Sequence, residues 1–312
     1  EASGALRPAL ELGLHFELRN SRIGTQLLAG KGDVDLLGSH LRKVDINLEA
    51  AGNRLSALGA FGKSGDSLRL MVQAPRLEAL GWPGLAGDAS ANFVLGGSLA
   101  SPVFSGELQA ARLRLAKQLD VQGLSFNGQL GAGAQGVLSG LLRCTACELP
   151  AYDIPALALE AKAEGLRQQH RLELRAGLPD KREIHAAADG GLHEEATHRP
   201  GATNPVGSSP TLFWSGTLGE LRVAALAGGK TRGNAARADA VRIDTAKATP
   251  LLQLTAPAPL RMSRTALAFG PASIDGLIGN LRIERLGHER GRWQSAGRWQ
   301  NFRPQDVLAE FP

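Results

Sequence analysis

Cys144-Thr145-Ala146-Cys147 is the stretch of this sequence with the most explicit chemical potential. A Cys-x-x-Cys pair acts as a redox centre where a strand runs into a helix, and as half a zinc site where a second Cys or His pair completes it. Here Leu141-Leu142-Arg143 precedes the pair and Glu148-Leu149-Pro150 follows it. Pro150 opposes a helix, and no second pair stands at metal-ligand spacing. The expectation is a local disulfide or two free thiols at a strand turn. His185, His193 and His198 are the other ligand-type group. No cysteine and no helical pairing supports them, so solvated loop histidines are expected and no metal site is assigned.

Other chemistries lack their signatures. There is no Gly-x-Ser-x-Gly elbow at a strand-to-helix turn and no Gly-x-x-x-x-Gly-Lys-Ser/Thr loop for nucleotide phosphates. Carboxylates are scattered singly among apolar residues, which gives no pairing for acid–base work. Neither catalytic residues nor a cofactor is expected. The 35 basic and 30 acidic residues leave a net charge of +5 but are interleaved, so no basic block points to nucleic acid. The excess suits the neighbourhood of anionic lipid headgroups.

The elements that would carry any site are strands. In Leu10-Glu11-Leu12-Gly13-Leu14-His15-Phe16-Glu17-Leu18 the apolar residues take every second position. Successive side chains of a strand point to opposite faces, so one face is apolar and the other wet. Val44, Ile46 and Leu48 repeat the pattern, as do Leu68, Leu70 and Val72, and then Phe93 and Leu95. These residues, with Leu10, Leu12, Leu14, Phe16 and Leu18, are the candidate lining of an apolar surface. Glycine, at 39 residues, and proline, at 16, punctuate the chain often enough for many short turns. Short turns favour antiparallel neighbours, since parallel pairing requires long crossovers. Pro75 to Gly84 breaks the rhythm and predicts a short helix or 3₁₀ turn. Residues 177–210 are polar and rich in Gly, His, Thr, Pro and Ser, and read as a long loop. Strands are expected again at Leu212-Phe213-Trp214, Leu221-Arg222-Val223, Val241-Arg242-Ile243-Asp244 and Leu252-Gln253-Leu254. Thr265 to Phe269 and Asn280 to Glu284 extend the series, and Pro304 can open a terminal helical turn.

Roughly fifteen strand candidates with almost no helix give an all-β chain with a repeating segment at 1–176, a loop at 177–210 and a continuing segment at 211–312. Two packings suit the pattern. Periodicity alone favours a closed, ordinary β-core. The alternative is one extended, curled antiparallel sheet whose small inward residues, Ala89, Ala91, Ala110 and Ala158, leave an open groove fit for acyl chains. No run of about 18 apolar residues is present to span a membrane. Glu1-Ala2-Ser3-Gly4 is not a signal peptide. The abrupt start and the ending at Phe311-Pro312 read as a piece of a longer protein.

One stretch resembles a known family. Residues 85–110, with Gly87, Leu95-Gly96-Gly97-Ser98-Leu99, Pro102 and Gly106-Glu107-Leu108, are similar to the G-x-L-x-x-x-x-x-L-x-G-T-L-x-x-P-x-x-x-G-x-L repeat of TamB and the wider AsmA-like superfamily, with Ser98 in place of the usual Thr. Residues 48–62 and the ending Gly297 to Pro304 are similar to the same family. The resemblance implies a U-shaped, taco-like β-sheet with an apolar concave lumen and few short helices. It also implies residence in the periplasm, on an inner-membrane anchor outside this sequence. Its implied role is movement of phospholipid, held by its acyl chains, between inner and outer membranes. A second implied role is help in assembling outer-membrane β-barrels with the barrel partner TamA. No segment expected to dock on TamA is evident here.

Overall fold

The structure, a computed structural model, describes residues 2–7, 9–24, 26–98, 101–116, 118–152, 154–195, 211–225, 249–277, 279–289 and 291–301. The expected strand at Val241 to Asp244 and the helical turn at Pro304 lie outside these residues. The fold is all-β and antiparallel, as the alternation predicts. Among the described residues there is no α-helix. The break after Pro75 is a 3₁₀ turn over Leu77–Leu80, ended by Gly81 in the left-handed conformation. A second 3₁₀ turn covers Pro150–Tyr152.

The chain divides into two compact units, residues 1–172 with 190–213 and residues 173–189 with 214–312. The first carries β1 (Ala2–Arg7), β2 (Ala9–Ile23), β3 (Gln26–Leu37), β4 (His40–Ala50), β5 (Asn53–Phe61) and β6 (Ser67–Ala74). It continues with β7 (Leu85–Gly87), β8 (Ala89–Gly97), β9 (Pro102–Leu115), β10 (Leu119–Leu130), β11 (Val137–Leu149) and β12 (Ile154–Leu166). Each strand pairs with its neighbour in sequence, except that β6 pairs with β8 while β7 pairs with the far end of β9. This up-and-down order follows from the turns. At β4–β5, Ala51 and Gly52 both take positive φ, 52° and 80°, and leave Ala50 opposite Asn53; such a two-residue turn matches the twist of its strands. The buried Asn53 side chain donates to the carbonyls of Ala50 and Arg76 and accepts from Arg76 N–H, tying this turn to the end of β6.

The sheet of this unit curves. The buried Arg167, just past β12, donates from Nη1 to the carbonyl of Pro102 at the start of β9, 3.2 Å away. These strands are three apart, roughly 14 Å on a flat sheet at 4.7–4.9 Å per strand, beyond an arginine's reach.

Strands β13 (Gln169–Gly177), β14 (Arg182–Glu195) and β15 (Thr211–Ala225) contribute residues to each unit. β14 corrects the reading of 177–210 as a loop: residues 182–195 are strand, and 196–210 lie outside the described residues. Its buried apolar residues, Ala187 and Ala188, are small, so it carries no large apolar alternation to announce itself. The second unit continues with β16 (Thr249–Leu254), β17 (Ala258–Ser263), β18 (Ala266–Phe269), β19 (Ala272–Gly276), β20 (Gly279–Glu289) and β21 (Arg292–Gln300). β16 and β17 are two parts of one run interrupted near Pro257, and β18 and β19 are two parts of another interrupted at Pro271. Proline has no N–H for the ladder. Here Leu254, Ala258, Phe269, Ala272 and Ile274 are buried together, with Leu252, Leu260 and Ile283 packed against them.

Candidate functional site

Directly opposed residues of an antiparallel ladder share a face. The registers of the first unit therefore define three rows running across ten strands. One is Leu18, Gly30, Leu48, Leu55, Val72, Ala91, Leu108, Phe126, Leu142 and Ala161. The next is Phe16, Gly32, Ile46, Ala57, Leu70, Phe93, Gly106, Gly128, Gly140 and Ala163. The third is Leu14, Val34, Val44, Gly59, Leu68, Leu95, Phe104, Leu130, Leu138 and Gly165. No polar side chain interrupts any of them.

Eleven of the thirteen candidate lining residues fall in these rows. Leu12 begins a fourth, opposite Leu36, which in turn faces Leu41. Leu10 lies in β2 with its backbone opposite Leu6. The rows also contain residues outside the candidate list, among them Leu55, Leu108, Phe126 and Leu142. The alternation in Leu124-Ser125-Phe126 carried part of that signal; assigning a face to the glycines required the registers. Ala89, Ala91 and Ala110 face inward as expected. Ala158 does not: it is exposed, opposite an extra residue in β11.

This face is only partly covered. Val44 and Leu68 retain 5% and 6% of their surface and form a sealed patch with Ala57. Leu14 retains 37% and Leu55 40%. Leu12, Phe16, Leu18, Ile46, Leu48, Leu70, Val72, Phe93 and Leu95 are half-buried. Glycines form part of the floor, and aromatic rings lie over them. A Cβ on Gly32 would sit 2.4 Å from the Phe16 ring, and one on Gly106 2.4 Å from that of Phe93. At Gly140 the nearest atom is 4.0 Å away, so its floor is open.

The opposite face is wet and salt-bridged. Arg42 joins Glu11 and Asp35 at 2.9 and 2.7 Å, and Arg143 joins Glu160 at 2.7 Å. Asp120 accepts from both Arg112 and Arg114 at 3.0 Å. The bond from Arg112, followed after opposing desolvation by that from Arg114, holds its carboxyl below the usual aspartate value. The His15 hydrogen bond does the same for Asp33. A recess of about 420 Å³ is bordered by Lys31, Asn47, Glu49 and Arg54 together with Ala29, Leu48, Leu55 and Met71.

The ligand-type residues have other roles. Cys144 and Cys147 form a disulfide. His185 lies 2.9 Å from Glu220, and the His193 ring lies 5.5 Å from that of Phe213. His198 is outside the described residues. Among the described residues no three His, Cys, Asp or Glu side chains converge as a metal site would require.

A family model described as TamB, N-terminal domain, matches residues 21–204. The chain belongs to the TamB family. No curated protein and no solved structure matches it. The matched segment runs from the end of β2 through β14, so nearly all of the apolar rows lie within TamB sequence. TamB proteins belong to the cell envelope and are structural or transport modules rather than an enzyme family. Among the described residues no helix is long and apolar enough to cross a membrane.

Proposed function

We propose that the apolar face of the first unit is a groove for phospholipid acyl chains, and that this TamB-family segment moves phospholipid passively between inner and outer membranes. The observation that carries the reading is the continuity of three uninterrupted apolar rows, sealed around Val44 and Leu68 but only partly covered over most of their length. An exposed hydrocarbon surface of this extent is costly in water and is offset by an apolar guest. Each buried methylene of such a guest contributes about 0.8 kcal/mol. The headgroup stays in water, so the groove can accept different phospholipids. The periplasm is the proposed location, with an inner-membrane anchor outside this sequence, and an intramolecular disulfide suits that oxidising compartment.

Native mass spectrometry of gently purified protein tests the reading. Bound phospholipid is expected, and Leu14→Glu or Ile46→Glu should reduce it by placing a charge in the hydrocarbon path. Protein that emerges free of lipid, or variants that carry as much as the parent, would refute it. A second reading is a scaffold that assists outer-membrane barrel assembly with a TamA-type partner. It is favoured by β21, which among the described residues pairs only with β20 and whose nine residues are all exposed; an open strand edge can template another strand. This reading predicts crosslinks from β21 to barrel proteins and indifference to charges at Leu14 and Ile46.

A further inference from the structure

Three neighbouring strands change phase at one level of the sheet. In β9 the covered positions are Gly106, Leu108 and Ala110, then Leu113, with Ala111 and Arg112 both exposed between them. In β10 they are Phe126 and Leu124, then Val121, with Gln122 and Gly123 both exposed. In β11 they are Leu142 and Cys144, then Cys147 and Leu149. The three strands stay in step across this line: Leu124 faces Ala110, Gln122 faces Arg112, and Val121 faces Cys147. The extra residues appear only against the flanking strands. Between Gly87–Leu113 and Ser90–Gln109, β9 has one residue more than its partners. Between Cys144–Leu159 and Cys147–Leu157, Thr145 and Ala146 stand against Ala158 alone.

Both ends of this line are fastened. At one, the Asp88 carboxylate accepts from the N–H groups of Ala111 and Arg112, each at 2.9 Å. At the other, the Cys144–Cys147 bond closes over the bulge, with Cα atoms 6.2 Å apart. Between them Gly123 has φ +59°, and the Thr145 hydroxyl packed beside it donates to the Gln122 carbonyl at 2.9 Å. The line matters because a one-residue slip sends every later side chain to the other face. With it, Leu113, Val121, Cys147 and Leu149 continue the apolar face. Without it, Arg112, Gln122 and Glu148 would take those places.

We propose that the Cys144–Cys147 disulfide is a redox clasp on this step, and that its reduction interrupts the apolar path beyond Leu142. The second half rests on the acyl-groove reading. Reduction by a dithiol transfers two electrons and two protons: the S–S bond breaks, two cysteine thiols form, and the dithiol closes to its own disulfide. β11 is then free to lose its extra residue and turn Glu148 toward the hydrocarbon.

The test uses the full 312-residue chain, folded and oxidised, then treated with dithiothreitol, beside the Cys144→Ser/Cys147→Ser variant. Amide hydrogen exchange over 143–149 and 157–160 should accelerate about twentyfold, the chain-entropy value for opening a four-residue loop. Exchange in β3 to β6 should be unchanged, and bound phospholipid should fall by about half or more in native mass spectra. If the double variant does not fold, reduction of the folded protein decides the question alone. Exchange unchanged on reduction overturns the clasp. Accelerated exchange with undiminished lipid overturns its control of the groove. An oxidised protein that never held lipid overturns the groove reading and with it that control, while the exchange comparison still decides the clasp.

Discussion

If the apolar face of the first unit is open, two leucines on adjacent strands must respond differently to truncation. Leu68 in β6 retains 6% of its surface and packs in the sealed patch with Val44 and Ala57. Leu68→Ala removes buried methyl groups and leaves a cavity that the neighbours only partly fill, which costs about 2–5 kcal/mol. Leu55 in β5 retains 40% of its surface. Complete burial of a leucine is worth about 1.5–3 kcal/mol, so the covered share of Leu55 contributes about 1–2, and alanine keeps part of that. Water reaches the vacated space, so the cavity cost drops out, leaving about 1 kcal/mol. With a urea dependence of about 2 kcal/mol per M, the midpoint should fall by roughly 1.5 M for Leu68→Ala and roughly 0.5 M for Leu55→Ala. Urea unfolding of delipidated protein reads both shifts. Equal large losses would mean that Leu55 is sealed in solution, and the open face, with the function built on it, would be wrong.

Two further outcomes follow from the same geometry. Gly106→Leu should destabilise by about 1–3 kcal/mol, because its Cβ would stand 2.3 Å from the Asn92 carbonyl oxygen and 2.4 Å from the Phe93 ring; Gly140→Ala, whose Cβ meets nothing nearer than 4.0 Å, should be neutral or slightly stabilising in thermal melts. Asp120 has a lowered folded value, so its pairing with Arg112 and Arg114 stabilises the protein above the usual aspartate range and is lost as pH falls through the lowered value. Urea midpoints of parent and Asp120→Asn should therefore differ most at neutral pH and converge in strong acid; a constant difference would contradict the assignment.

The sequence by itself marked the chain as all-β and most of its strands. Alternation such as Leu10 to Leu18 fits a period of two and no other, and it separated an apolar from a wet face on each strand. It also placed the turn after Pro75; the cysteines, expected at a strand turn, lie within β11. It did not register β14, whose buried Ala187 and Ala188 are too small to mark a face. The tertiary structure decided which strands lie together and where the alternation slips. Gly32, Gly106 and Gly128 count as floor only because register sets them in one apolar row, each beside a phenylalanine ring. The part Asp88 plays shows only in its two backbone donors, Ala111 and Arg112 N–H. The choice between closed core and open groove also lay beyond the sequence: period two is the same in both, and only the folded chain tells the bare surface on Leu14 and Leu55 from the sealed clusters around Leu68 and Phe269.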